Sequence, residues 1–346
     1  MINETTFKPD GLLVLPHLRV QNANAISSPL TWGFPSPTAF LGFTHALERR
    51  LRTSYEQAFG GVGIVCHSFE AQTFRPNRRQ QLVFTQSRNP LYLKRDVAKF
   101  ISEGTPPAIV EEGHVHLEVS LVIAVRGSFN EELEEQAFAD DAYERTLSMR
   151  LAGGSVLPPQ GPRLPKPKWI SWPEVAVDQS KAFARLRRRL LPGFSLVHRP
   201  DLLGEHLEKL KTKNDSATVL DALLDITRLN DSPSLPTNEG QESVEWQIEK
   251  RPGWLVPLPI GYAGISPLYS AGEVTDSRDS TTPLRFVESL CSLGQWISPH
   301  RLNQLEQMLW LNAADSEAGL YRCINHYAKN ITKSHTESEL NPPQGA

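Results

Sequence analysis

An α+β fold is predicted for this chain: a ferredoxin-like domain over residues 1–157, a Pro-rich arm and helical insertion over 158–253, a C-terminal mixed segment packing back on the core over 254–330, and a disordered tail over 331–346. Three observations predict it. Gly11–Val20 is a short apolar run of a buried strand, and apolar residues alternate with period two in Gly61–Thr73 and His114–Val125. They recur at helical spacing after Pro37 and again after Glu132. Clusters of Gly, Pro, Asn and Ser separate these runs.

Gly11–Val20 (GLLVLPHLRV) reads as a buried strand in which Pro16 marks an edge, a bulge or a strand end, because proline cannot donate to a ladder. A polar loop follows. Pro37 suits a helix start with Ser36 as N-cap, and Phe40, Phe43, Ala46, Leu47 and Leu51 repeat behind it. Val62, Ile64 and Cys66 share one alternation of the second strand; Val115, Leu117, Val119, Leu121 and Ile123 share one of the third. Glu132–Leu151 is the next helix, with Leu133, Ala137, Leu147 and Leu151 as its inner stripe and an acidic first turn that suits the helix dipole. Ala152, Gly153 and Gly154 end it, and Ser155–Leu157 starts a fourth strand. The order β-α-β-β-α-β is the ferredoxin-like arrangement that RNA-recognition-motif domains use.

Beyond it, six prolines in Pro158–Pro173 mark a linker or arm, and helices are expected at Gln179–Leu191, Asp201–Lys213 and Ser216–Leu229. Asp231–Glu242 is a loop poor in apolar residues, Trp254–Ile260 returns to strand character, and Pro299–Trp310 reads as a last helix. No internal repeat is evident.

The chain has 346 residues, 39% hydrophobic and 22% charged, which is length for two compact units and the composition of an ordinary soluble protein. No apolar run approaches the roughly 18 residues that span a bilayer. Met1–Asp10 lacks the apolar stretch of a secretory signal, so a cytoplasmic protein without membrane attachment is expected. Cys66, Cys291 and Cys323 stand far apart, which argues against a disulfide framework or a zinc site; no cofactor is expected. There is no P-loop, GxSxG, HExxH or Rossmann fingerprint. The net charge of −3 hides an uneven distribution. Ala71–Phe100 carries seven Lys or Arg against one acid, and Glu131–Arg145 seven acids against one Arg. Such alternation fits one face toward phosphate and another toward a protein neighbour or solvent.

Gln21–Arg50 (QNANAISSPLTWGFPSPTAFLGFTHALERR) is the most informative stretch. Gln21, Asn22, Asn24, Ser27 and Ser28 offer donors and acceptors, Trp32 and Phe34 offer rings, and Pro29, Pro35 and Pro37 stiffen the backbone. Such groups read unpaired bases through edge hydrogen bonds and stacking; equally, they cap a loop's own turns and fill a core. Arg75, Arg78, Arg79, Arg88, Lys94 and Arg95, with Asn89, either grip phosphates or form a solvated loop. Arg185, Arg188 and Arg189 project opposite the apolar Phe183, Leu186 and Leu190, a pattern that suits a phosphate track. Gly153-Gly154-Ser155, just after Arg150, admits a close backbone approach or simply stops a helix. His45, His67, His114 and His116 raise acid–base chemistry on a ribose hydroxyl, or plain hydrogen bonding.

Six blocks carry a resemblance to a known family: Gln21–Phe43, Gly61–Gln72 (GVGIVCHSFEAQ), Met149–Pro158 (MRLAGGSVLP), Arg187–Val197 (RRRLLPGFSLV), Lys250–Tyr262 (KRPGWLVPLPIGY) and Thr282–Leu290 (TPLRFVESL). Spread over Leu12–Tyr321, they make the chain similar to the subunit of the type I-F CRISPR surveillance (Csy) complex that holds the 5′ handle of the guide RNA. Met1–Asp10, Asn77–Pro107, Asp231–Gln247 and the tail after Tyr327 depart from the pattern. The resemblance implies a non-catalytic, RNA-binding subunit for DNA interference. Its partners would be the crRNA 5′ handle, the large target-recognition subunit and the first backbone subunit, with target DNA nearby. It also implies RNA contacts by Gln21, Asn22, Asn24, Ser27, Ser28, Trp32, Phe34, Arg75, Arg78, Arg150, Gly153, Gly154, Ser155, Arg185, Arg188 and Arg189. Two other functions stay open. One is a metal-independent endoribonuclease that processes repeat RNA through His67 or through His114 with His116. The other is a scaffold that docks the large subunit through the acidic helix after Glu131 and through Trp254–Tyr269.

Overall fold

The first strand of the computed structural model, β1 (Gly11–Asn24), runs past the apolar stretch and takes in Gln21, Asn22 and Asn24, which were expected in the loop. Pro16 lies in a register shift between Leu15 and Leu18, with His17 at φ 50°, so the proline marks a bulge. The structure describes residues 7–78, 81–91, 97–104, 108–158, 165–228, 231–234, 245–248, 251–277 and 279–330. Arg79, Lys94, Arg95, the middle of the expected arm, most of the Asp231–Glu242 loop and the expected disordered tail lie outside the described residues.

Two units are present, Lys8–Trp172 and, together with Met1–Phe7, Pro173–Ala346. The first comprises β1, α1 (Pro37–Leu51), β2 (Ala58–Ala71), β3 (Thr73–Phe74), β4 (Val83–Phe84), β5 (Gln86–Leu91), α2 (Val97–Glu103), β6 (Ala108–Arg126), α3 (Glu132–Leu147), β7 (Arg150–Leu151), β8 (Gly154–Leu157) and β9 (Lys168–Ser171). Its antiparallel sheet runs β2-β6-β1-β8-β7. β5 pairs the first part of β6, and β9 pairs the first part of β1. On β6 the odd-numbered Val115 to Val125 are buried, whereas His114, His116 and Glu118 stay partly exposed.

α1 starts as the sequence suggests: Ser36 accepts a hydrogen bond from the Thr38 N–H, and Phe40, Phe43, Leu47 and Leu51 are buried. α3 departs from expectation. It ends at Leu147, leaves Leu133 77% exposed and buries Phe138, Ala139, Ala142 and Thr146 instead. The reason is Phe138, which meets the rings of Tyr55, Phe59, Phe129 and Trp169 and rotates the helix onto that face. Trp169 also corrects the expected arm, because Lys168–Ser171 is a strand. Gly11 makes room for it: a Cβ there would stand 1.9 Å from the indole.

The second unit comprises α4 (Ala176–Arg189), β10 (Phe194–His198), α5 (Pro200–Lys211), α6 (Val219–Thr227), β11 (Asp231–Ser234), β12 (Glu245–Ile248), β13 (Trp254–Gly264), β14 (Val287–Ile297), β15 (Leu309–Asp315) and β16 (Leu320–Asn325). Its antiparallel sheet runs β10-β14-β13-β16-β15, and β11 pairs β12 separately. Pro257 and Pro259 are tolerated because β16 pairs β13 at Gly261–Ala263, beyond both prolines. Leu203, Ala222, Leu223 and Ile226 of α5 and α6 bury against Leu293. Among the described residues no helix is long and apolar enough to cross a membrane.

Pro299–Trp310 is not an α-helix. Two short 3-10 turns, Pro299–Arg301 and Leu305–Gln307, lead into β15. The buried Asn325 amide donates to the carbonyls of Gln307 (3.0 Å) and Leu309 (2.9 Å), and the Trp310 indole donates to Leu196 (2.8 Å). Non-local partners thus win over the i, i+3 spacing of Leu302 and Leu305.

His198 links this core to pH. Burial, the largest cause, pushes its imidazole down to about 4; Asp201 opposes that shift and Arg322 adds to it. The unfolded chain therefore takes up its proton first on acidification. Stability contributed here is complete above about pH 6.5 and falls by about 3 kcal/mol toward pH 4. Urea unfolding followed across that window should show the loss, and His198→Gln should flatten it; a wild-type midpoint independent of pH would contradict this.

Candidate nucleic-acid interface

Strand pairing in the first unit brings residues far apart in sequence into one polar row. Arg150 on β7 lies opposite Ser155 on β8, which lies opposite Gln21 on β1, and all three are exposed. Next to Gln21, Asn22 sits at φ 57° in a second register shift of β1, between Val20 and Ala23. Asn accepts this left-handed conformation more readily than most residues, and the bulge turns two successive side chains outward. The Asn22 N–H donates to His116 Nδ1 (3.3 Å), while its side-chain oxygen accepts from Gln72 Nε2 (2.6 Å). Glu70 of β2 stands opposite His116 and completes the row.

Other expected contacts serve the loop itself. Both ends of the Asn24 amide close a turn on Ile26: Nδ2 donates to its carbonyl (2.8 Å) and Oδ1 accepts from its N–H (3.0 Å). Ser27 Oγ accepts from the Ser36 N–H, and the buried Ser28 hydroxyl bonds Thr31 and accepts from the Leu30 N–H. Phe34 stacks on buried Phe40 (5.4 Å). Trp32 differs: it is 59% exposed and stacked on Phe84 (4.7 Å), a ring platform with one open face.

Gly153 and Gly154 part company. Gly153 has φ 79° and open space around it, as the β7–β8 turn requires. At Gly154 a Cβ would lie 2.7 Å from Ala23 N and from Gln21 O, so its bare backbone accommodates β1.

Arg75 and Arg78 are exposed beyond β3. Arg88 pairs with Glu111 (3.0 Å) and Asn89 donates to Glu112 (3.1 Å), contacts across β5 and β6. In the second unit Arg185, Arg188 and Arg189 are exposed on α4, with no carboxylate ion pair among the described residues; Arg188 donates to the Ala184 carbonyl (3.3 Å). Neighbouring Arg187 is structural: it donates to the carbonyls of His300 and Leu302 and lies over the Phe183 ring.

The histidines hold the sheet together. His67 bonds the Ser120 hydroxyl (2.7 Å) and stacks on His17 (4.0 Å), whose Nδ1 meets Glu118 (2.7 Å). Burial pushes the nearby Cys66 thiol up to about 12, far from a thiolate nucleophile. Among the described residues no three His, Cys, Asp or Glu side chains converge as a metal site.

Sequence reasoning missed Gln72 and Phe84, and left His116 open between acid–base chemistry and the hydrogen bonding that it makes as an acceptor. Gln72 closes the GVGIVCHSFEAQ block, the one signal available for it. Phe84 lies in a stretch that departs from the family pattern.

Comparison with known proteins follows the same lines. The family model for a CRISPR-associated protein, Cas_Csy2, matches residues 13–323. The CRISPR-associated protein Csy2 of Pseudomonas aeruginosa (strain UCBPP-PA14) is 50% identical over 319 residues, covering 91% of this chain and 95% of that protein.

Proposed function

Because this chain belongs to the Csy2 family of CRISPR-associated proteins, a subunit family of the type I-F Csy complex, we propose that it is a non-catalytic, cytoplasmic subunit that grips the 5′ handle of the crRNA. Arg75, Arg78, Arg150, Arg185, Arg188 and Arg189 would hold phosphates, while Gln21 and Asn22 read base edges and Trp32 stacks on an unpaired base. The large subunit and the first backbone subunit are its protein partners, with target DNA close by. Exposed Trp246, Trp254 and Ile265 in the second unit suit such docking. The first unit is read as ferredoxin-like, supported by its strand order β2-β6-β1-β8 and by the succession β1-α1-β2-β6-α3-β8, in which β3, β4, β5 and α2 are inserted between β2 and β6 and β7 precedes β8.

The observation that carries the proposal is the exposed row Arg150, Ser155, Gln21 and Asn22, a phosphate ligand beside base-reading amides on one strip of sheet. Engagement of His67 and His116 in structural hydrogen bonds favours this reading over a nuclease. Asn22→Ala should lower the preference for the cognate handle over a scrambled RNA about tenfold. Equal losses on both RNAs would remove the base-reading role.

A further inference from the structure

Gln72 is tied down by its backbone: its N–H donates to the His114 carbonyl (3.1 Å) and its carbonyl accepts from the Thr85 N–H (2.8 Å). Its side chain therefore leaves the end of β2 in a fixed direction and meets Asn22 across β6, with Nε2 donating to Asn22 Oδ1 at 2.6 Å. In so exposed a place one neutral hydrogen bond adds little stability, because water competes for both groups. Its effect is on orientation. An Asn amide turned by half a rotation about its last bond exchanges oxygen for nitrogen, and so exchanges acceptor for donors. With Gln72 Nε2 as the donor, the Asn22 rotamer in place is the one whose oxygen faces inward. His116 holds the other side, accepting the Asn22 backbone N–H at 3.3 Å and fixing the bulge from which the amide projects.

We propose that Gln72 is a positioning residue for base recognition: it turns the Asn22 amide so that Nδ2 presents N–H donors to the RNA, and the base read there offers an acceptor, a ring nitrogen or a carbonyl oxygen. The inference rests on the RNA-reading role of Asn22 proposed above. Asn22 then discriminates by donation alone, and the handle nucleotide facing it should tolerate any base with an acceptor at that edge and reject an analogue lacking it.

The test is fluorescence anisotropy with the full-length chain, comparing a labelled cognate handle RNA with a scrambled RNA of the same composition. Gln72→Glu keeps the shape and removes the donor; it should reduce discrimination about fivefold, and have no further effect when Asn22→Ala is already present. Gln72→His restores an N–H near the same place and should recover discrimination to within about twofold of wild type. A purely structural role for Gln72 would lower binding of both RNAs alike and give no such recovery. If Asn22→Ala abolishes discrimination while Gln72→Glu leaves it intact, the positioning role is wrong and the reading of bases by Asn22 survives. If Asn22→Ala itself changes nothing, both fall.

Discussion

Arg185→Ala, Arg188→Ala and Arg189→Ala combined should weaken handle-RNA binding on the order of a hundredfold at low salt and reduce the slope of log affinity against log salt by about two. The slope follows from three phosphate contacts, each releasing about 0.7 of a counterion from single-stranded RNA. The three guanidinium groups share the exposed side of α4, while Phe183 and Leu186 bury the other side. The loss should be similar for cognate and scrambled RNA, because phosphate contacts carry no sequence information. Arg187→Ala provides the contrast. It removes the donors to His300 and Leu302, so it should lower unfolding stability while leaving the salt slope unchanged. A triple variant with wild-type salt dependence would exclude α4 from the RNA path.

Gly154→Ala should be strongly destabilising, costing about 3 kcal/mol or more. The added carbon would stand 2.7 Å from backbone atoms of both Gln21 and Ala23, so β8 would have to part from β1, taking Ser155 away from Gln21. Gly153→Ala meets no neighbour and carries only the strain of φ 79°, about 1 kcal/mol. Urea denaturation separates the two. Equal, small destabilisation by both variants, with RNA affinity lost instead, would return Gly154 to the role of an RNA-approach site.

What could be read from the sequence was what local chemistry dictates. Ser36 and Pro37 mark the start of α1, and Pro16 marks an edge, a bulge or a strand end, because capping and proline geometry act over a few residues; the register shift decides for the bulge. Leu302, Leu305 and Leu309 imitate a helix that Asn325, from a later strand, takes apart through hydrogen bonds. Arg88 has its ion pair with Glu111 only because β5 pairs β6 and sets the carboxylate beside it. The candidate site follows the same rule. Gln21, Asn22, Ser155 and Arg150 could be named as residue types, but their alignment in one row needs the β1–β8 pairing, which joins positions more than a hundred residues apart. The Gln72–Asn22 contact depends on strand register alone.

The central claim, that this subunit holds the repeat-derived 5′ handle, is tested most directly by co-expressing the chain with the large subunit and a type I-F repeat array and sequencing the 5′ ends of the RNA that purifies with it. Enrichment of intact RNA sharing one repeat-derived 5′ end is the predicted result. Heterogeneous RNA, or none with the large subunit still bound, would contradict it in favour of a scaffold, and fragments cut within the repeat would contradict it in favour of a nuclease.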